Sequence, residues 1–459
     1  MQNIYWNESL IRKYDLQGPR YTSYPTAVEF SEPFCPADLQ QAATKSHSAN
    51  RPLSLYFHIP FCAKLCYYCA CNKIVTKRKE KALPYLQDVF KEMALQVALF
   101  GSGREVHQLH WGGGTPTFLS SDEMRLLMQE TRKHFTLLSD DQGDYSIEID
   151  PREVAPDTLA TLRELGFNRV SLGVQDFNPR VQKAVNRIQS PELTLRVLEE
   201  ARRLGFRSIN VDLIYGLPHQ TLSTFRETVD TIIRFSPDRM SVFNYAHLPQ
   251  RFMPQQRILE QDLPRPETKL EILHNSIGQL IDAGYHFIGM DHFAKPDDTL
   301  AVAQAQGKLH RNFQGYTTHG NCDLMAFGVS SISMMDRHYY QNRLDSESYG
   351  ESLARGELPI FRGVSLTQDD VIRREIISQL ICQFTLQFPE IERGFGINFR
   401  DYFKSELLAL ESMVEDGLVQ LKQDSLQINP PGRLLIRAIC KLFDIYRLQS
   451  EQNRFSRII

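Results

Sequence analysis

Short apolar runs alternate with stretches of helical period through the middle of the chain. Seven runs read as strands, over residues 53–59, 106–111, 145–149, 169–174, 209–215, 240–245 and 286–290. They are rich in Val, Ile, Leu and aromatics without clean polar alternation, the pattern of strands covered on both faces of a parallel sheet. Between them, apolar positions recur at helical spacing over 84–100, 121–135, 156–165, 191–204, 221–235 and 267–283. Such alternation implies right-handed βαβ units. A weak repeat supports this. Leu165-Gly166-Phe167, Leu204-Gly205-Phe206 and Ala283-Gly284-Tyr285 each follow a helical stretch, with glycines 39 and then 79 residues apart. A glycine there supplies the left-handed backbone that ends a helix. The spacing fits one βα module per step, in an open or closed barrel, and a doubly wound sheet has the same periodicity.

Past residue 295 the pattern changes. Residues 308–320 are polar and aromatic and read as a loop, and 325–334 as one more strand. From 366 the chain reads as mainly helical, over 369–384, 407–416 and 431–448, with a hairpin over 418–428. The fold class expected is α/β. An N-terminal arm (1–50) leads into a partial (β/α) barrel (51–335) and a mainly helical, winged-helix-like C-terminal domain (336–459).

Length and charge narrow the function. At about 150 residues per domain, 459 residues allow roughly three domains. A formal net charge of −3 argues against a non-specific nucleic-acid binder, which needs excess positive charge. Arg433, Arg437, Lys441 and Arg447, interrupted by Asp444, read as a solvated helix face rather than a DNA surface. No apolar run approaches the roughly 20 residues that span a bilayer. The first residues lack the basic and apolar regions of a secretory signal, so a cytoplasmic protein is expected.

Eight cysteines are present: Cys35, Cys62, Cys66, Cys69, Cys71, Cys322, Cys382 and Cys440. Clustered thiols in a large cytosolic chain are metal ligands or catalytic groups before they are disulfides. Cys382 and Cys440 sit in apolar helical patterns and read as core thiols. Cys35 and Cys322 have no context that favours function. The other four form Cys-x3-Cys-x2-Cys followed by Cys-x-Cys, directly after the first strand, at the sheet edge where barrels and open α/β sheets place active sites. Structural zinc sites use two separated ligand pairs, and here there is one compact group. A loop this short can close three thiolates onto a small iron–sulfur cluster with one iron open for chemistry. Cys71 is too near Cys69 to be an easy fourth ligand. A zinc site using Cys71 or His58 is the alternative.

Two further constellations follow the next strands. His110-Trp111-Gly112-Gly113-Gly114-Thr115-Pro116 places glycines where backbone can approach a ligand closely. It is not a P-loop, because no Gly-Lys-Ser/Thr follows. Glu148, Asp150, Gln175, Asp212, and Asn244 with Ala246 lie at successive strand ends, with Arg187 beyond the fourth, and suggest a ring of ligand contacts.

The cysteine spacing after the first strand of a βα repeat resembles the radical S-adenosylmethionine (SAM) enzymes, in which three cysteines bind a 4Fe–4S cluster whose open iron binds SAM. Further stretches resemble the oxygen-independent coproporphyrinogen III oxidases: 18–26 (Gly-Pro-Arg-Tyr-Thr-Ser-Tyr-Pro-Thr), 69–74, 174–177, 212–218 and 310–316. The resemblance implies Cys62, Cys66 and Cys69 as cluster ligands and Cys71 as a catalytic cysteine outside the cluster. It implies Tyr56, Gly113, Glu148 and Ile332 as contacts to the SAM on the cluster. Tyr68, Gly114, Thr115, Gln175, Arg187, Asp212 and Ala246 would contact a second SAM. It further implies coproporphyrinogen III as substrate, an electron-donor protein, a monomer, and neither nucleic acid nor a membrane span. Arg20 and Arg311 are candidates for the substrate carboxylates. Ala70 departs from the usual glycine, which would matter if that position used positive φ. A haem-binding chaperone or a haem methyltransferase of the same superfamily are the alternatives. Chaperone relatives carry Cys-x-Phe where this chain has Cys69-Ala70-Cys71.

Overall fold

The structure is a computed structural model that describes residues 4–448 other than 16, 33, 35 and 140. Cys35 therefore lies outside the described residues. The chain packs as two compact units. A sheet unit contains residues 30–279 and 321–365, and a terminal unit contains 1–29, 280–320 and 366–459.

In the sheet unit, six strands alternate with helices: β1 (Leu53–Ile59), β2 (Glu105–Gly113), β3 (Asp144–Ile149), β4 (Arg169–Gln175), β5 (Ser208–Tyr215) and β6 (Arg239–Asn244). The main helices between them are α1 (Ala82–Phe100), α2 (Ser121–His134), α3 (Thr158–Glu164), α4 (Pro191–Arg203) and α5 (Leu222–Phe235), with a further short helix, Pro179–Ala184, ahead of α4. Four more strands follow: β7 (Asp323–Phe327), β8 (Ile332–Met335), β9 (His338–Asn342) and β10 (Ile360–Ser365). Spatial order is β6-β5-β4-β3-β2-β1-β7-β8-β9-β10. Every neighbour from β6 to β7 is parallel, and β8, β9 and β10 add antiparallel edges. No β6–β1 pairing closes the ring among the described residues, so the barrel is partial.

The helices start and stop where local chemistry dictates. Ser120 and Glu123 form a reciprocal capping box at the start of α2, whose last turn carries Arg132, Lys133 and His134 against the helix dipole. Ser190 caps α4 ahead of Pro191. The repeat glycines Gly166, Gly205 and Gly284 all take positive φ, at 101°, 79° and 88°.

The central strand β1 is covered on both faces, with Leu53, Leu55, Phe57 and Ile59 fully buried on one and Ser54 and His58 buried on the other. Strands β3, β4 and β5 differ from expectation, because they alternate buried and half-buried residues. Their half-buried face carries Ser146, Glu148, Ser171, Gly173, Asn210 and Asp212. It is the inner face of the partial barrel, where a polar lining replaces core.

Several expected boundaries are corrected. Residues 308–320 are no plain loop, because His310–Asn312 and Gly315–Thr317 pair as a hairpin. The single strand expected over 325–334 is two antiparallel strands, β7 and β8. A cut at residue 335 would divide one sheet, since β9 and β10 continue it. The seventh expected strand, His286–Gly289, pairs antiparallel with His292–Ala294 inside the terminal unit. That unit also holds the helix Gln368–Gln383 and a three-stranded sheet of Thr385–Gln387, Ser425–Ile428 and Val419–Leu421. The basic residues of the last helix are not a solvated face. Arg437 is buried and donates to the carbonyls of Gly18 and Pro19, while Lys441 donates to Gln17. Arg433 lies over the Phe384 ring. The Arg447 side chain lies outside the description.

Candidate active site

The cysteine loop is closed at its base. Phe61–Cys62 pairs with Ile74–Val75, and Ile74 N donates to Pro60 O at 2.7 Å. Its tip is held from across the barrel. Tyr67 N donates to Val185 O (3.0 Å), Asn186 Nδ2 to Leu65 O (2.7 Å) and Gln255 Nε2 to Tyr68 O (3.0 Å). Tyr67 and Tyr68 pack on an apolar floor of Val181, Val185, Leu217, Tyr245 and Ile258. These anchors fix the loop without using a thiol, so all four cysteines are free, with Cys62 and Cys66 buried.

A cavity of about 280 Å³ opens above the loop. Cys62, Cys66, Cys69 and Cys71 line it, together with Tyr68, Gly113, Gly114, Thr115, Glu148, Gln175, Arg187 and Asp212. Three expected residues, Tyr56, Ile332 and Ala246, are not among its lining. Tyr56 stacks on His110 at 5.8 Å and hydrogen-bonds His58 Nδ1 at 3.1 Å. Ile332 opens β8, and Ala246 follows β6.

The glycine turn is built by close backbone approach. Gly114 N donates to Ile59 O and Thr115 N to Phe61 O, both at 2.8 Å. A Cβ on Gly114 would stand 2.6 Å from Pro60 O, so no larger residue fits without displacing that backbone. Gly113 N donates to Glu148 Oε2 at 3.1 Å, and His110 Nε2 lies 3.4 Å from the other carboxylate oxygen. Burial raises the Glu148 carboxyl, but the His110 contact and the Gly113 N–H outweigh it and leave it below the usual range. Asp212 is raised by burial, although Ser171 Oγ and Asn210 Nδ2 both donate to it.

The thiols sit in unequal surroundings. Burial pushes Cys62 up to about 11, and its sulfur lies 3.6 Å from Thr115 Oγ1. A hydrogen bond from Cys71 brings Cys69 down to about 6 despite burial, with Lys73 nearby. Lys73 Nζ also donates to the carbonyls of Cys69 (3.0 Å) and Cys71 (3.3 Å). Around Cys66 stand two guanidiniums, Arg152 and Arg187, with Asp150 between them. Burial would raise Asp150, but the charge of Arg187 and the hydrogen bonds of Arg152 hold it at about 2.

The donor set suits an iron–sulfur cluster: four thiols stand on one anchored loop in a basic setting, and Cys62, Cys66 and Cys69 among them have the spacing to share one cluster. Buried polar atoms without partners point to a polar ligand beside them. Arg187 Nε and Gln175 Oε1 are two such atoms on the cavity lining. Gln175 also holds a φ of 72° at a register shift between β4 and β5, a conformation that costs energy and collects at functional sites. Anionic Glu148 and cationic Arg187 and Lys73 together fit a molecule such as SAM, which carries an ammonium, a sulfonium and a carboxylate.

Arg152 and Lys73 are site residues that sequence reasoning missed. The available signal was weak: each is a cation within two or three residues of a named site residue. The substrate candidates Arg20 and Arg311 lie in the terminal unit. Arg20 is paired with Asp291 at 2.7 Å. Arg311 lies over the Tyr316 ring at 4.7 Å, its Nε and Nη1 buried without hydrogen-bond partners. Ala70 is exposed and does not take positive φ, so its methyl imposes no strain.

Comparison with known proteins agrees with this geometry. Residues 56–232 match the model of the radical SAM superfamily, and 366–435 match that of the HemN C-terminal domain. The chain is 56% identical over 459 residues to an oxygen-independent coproporphyrinogen III oxidase of Pseudomonas aeruginosa, covering 100% of both chains. It is 50% identical over 460 residues to that of Escherichia coli K12, again covering 100% of both. The solved coproporphyrinogen III oxidase (HemN) of Escherichia coli, a radical SAM enzyme, superposes with a TM-score of 0.92 at 49% identity, over 97% of this chain and 100% of that one. These likenesses favour the oxidase over the chaperone and methyltransferase alternatives. On motif, geometry and whole-length likeness together, the chain belongs to the oxygen-independent coproporphyrinogen III oxidases of the radical SAM superfamily.

Proposed function

We propose that this chain converts two propionate side chains of coproporphyrinogen III to vinyl groups, giving protoporphyrinogen IX without oxygen. The observation that carries the reading is one cavity joining three loop thiols, the glycine turn and the polar strand ends of β3 to β5. Cys62, Cys66 and Cys69 hold the 4Fe–4S cluster. When bound, the cluster and SAM supply a 5′-deoxyadenosyl radical on one-electron reduction. Each propionate would lose a hydrogen atom from its β-carbon to that radical, giving 5′-deoxyadenosine, and would then release carbon dioxide as one electron passes to a one-electron acceptor, which leaves the vinyl group.

The protein's part is to bind, orient and exclude water. Glu148, kept ionised by His110 and the Gly113 N–H, accepts from an ammonium group. Tyr56, Gly113, Glu148 and Ile332 are assigned to the SAM on the cluster. A second SAM is assigned to Tyr68, Gly114, Thr115, Gln175, Arg187, Asp212 and Ala246. The orphaned Gln175 Oε1 and Arg187 Nε support that assignment, as one acceptor and one donor on the lining. Cys71, exposed beside Cys69, serves as a catalytic thiol outside the cluster. The reading also calls for a one-electron donor protein and a cytoplasmic monomer. No helix among the described residues is long and apolar enough to cross a membrane.

The test is anaerobic turnover after reconstitution with iron and sulfide, with SAM, a reductant and coproporphyrinogen III. Protoporphyrinogen IX that requires SAM and is lost in Cys66→Ala is the expected result. SAM cleavage without vinyl product would overturn the substrate reading.

A further inference from the structure

We infer that Arg152 is a positioning residue that acts through Cys66 to raise the reduction potential of the cluster. Arg152 lies in the short turn Pro151–Glu153 that follows β3. Its Nη2 stands 3.3 Å from Cys66 Sγ. The same guanidinium binds Asp150, through Nε at 3.0 Å and Nη2 at 2.7 Å. Arg187 reaches the same sulfur with Nη1 at 3.5 Å and the same carboxylate at 3.1 Å. One carboxylate thus aims two guanidiniums at one thiol. The side chains of Arg152, Asp150 and Arg187 are only 6%, 10% and 6% exposed, so solvent screens them little.

The three ligands are not equivalent. Cys62 has a neutral hydroxyl beside it, and Cys69 faces the Cys71 thiol and the Lys73 ammonium. Only Cys66, among these described ligands, has two guanidinium donors on its sulfur. Two arginines and one aspartate leave a net charge of +1 against it. Reduction adds one electron, and the added negative charge is stabilised by N–H donors and positive charge near the sulfur. The clamp therefore favours the reduced cluster more than the oxidised one. A carboxylate without the second arginine would cancel this effect, which gives Arg152 a role beyond that of an ion pair.

The test is a potentiometric titration of the reconstituted full chain with dithionite, followed by EPR of the one-electron-reduced cluster. It needs the cluster but neither SAM nor porphyrin, so its failure is distinguishable from failure of the substrate reading. Arg152→Gln should retain four irons per chain, with the equilibrium for reduction about tenfold less favourable, or about 59 mV lower for one electron. Arg152→Lys, which keeps the charge and loses the planar fork, should fall between the two. Parental midpoints in both variants would overturn the proposal. So would loss of iron in Arg152→Gln with a parental midpoint in Arg152→Lys, which would leave Arg152 a structural role only.

Discussion

Gly114 shows how far a single residue can control the site. Its N–H closes the turn onto Ile59, and the space where a side chain would go is taken by Pro60 O at 2.6 Å. Gly114→Ala should push the glycine turn away from the cysteine loop. The expected outcome is loss of SAM binding by equilibrium dialysis, with iron content retained because the new methyl meets Pro60 and Phe61 backbone and no cysteine sulfur. Ala70 behaves in the opposite way. Its backbone is ordinary, so Ala70→Gly should leave anaerobic turnover unchanged, and a marked gain would show that the methyl hinders the loop after all. At this scale the sequence was legible where contacts are local. Cys62, Cys66 and Cys69 could be grouped because eight consecutive residues contain them. Arg152 could not, because its partner sulfur lies 86 positions away and no spacing rule connects them. Arg20 illustrates a related difficulty: a conspicuous cation in a recognisable stretch was a reasonable anchor for a carboxylate, yet Asp291 holds it.

Among the elements, the six parallel strands and their helices were legible, because period and glycine stops are properties of contiguous sequence. The hairpin expected over 418–428 was legible too, since Val419–Leu421 pairs with Ser425–Ile428, but the antiparallel edge strands β8 to β10 were not. They are short, and β9 (His-Tyr-Tyr-Gln-Asn) has no aliphatic run to announce it, although all five residues are buried. What holds this edge is a buried carboxylate. Glu92 on α1 accepts from Gly328 N (2.8 Å), Asn342 Nδ2 (2.7 Å) and Tyr349 Oη (2.5 Å), tying the helix to the turn after β7 and to β9. Tyr85, two turns earlier on the same helix face, accepts from Val329 N and donates to His58 O, at the end of β1. Burial pushes Glu92 up to about 7. The folded protein then keeps its proton to about pH 7, whereas the unfolded chain releases it near 4.5. Over that window the folded state binds more protons, so this group's contribution is complete below 4.5 and fades as pH rises through 7. The full span is about 3 kcal/mol. Urea midpoints at pH 5 and pH 7.5 should therefore differ less in Glu92→Gln than in the parent, and an equal difference in both would remove Glu92 as the cause.

For the whole molecule, the instructive feature is that neither unit is a continuous stretch of chain. The terminal unit gathers its residues from both ends and from 280–320, and its internal bonds cross those segments. Gln304 Nε2 donates to Cys382 O at 2.8 Å, and Gln383 Nε2 to Leu309 O at 2.7 Å. A chain ending at residue 365 would leave 280–320 without these partners. Hydrogen exchange should then show that segment unprotected while β1–β5 stay protected, and full protection of 280–320 would contradict the division. Length and composition could not reveal this, because segment exchange leaves no mark on local pattern.

The grip of Arg437 on Gly18 has a consequence in time. The two residues are 419 positions apart. At about 5–20 residues per second, a ribosome takes roughly 20–80 s to travel from one to the other. Throughout that interval Gly18 and Pro19 lack their buried partner, so the stretch around them stays open to proteases and chaperones while the intervening chain is made. Residues 4–29 should resist cleavage only once residue 441 or so has cleared the exit tunnel, a threshold that arrested nascent chains of graded length can locate.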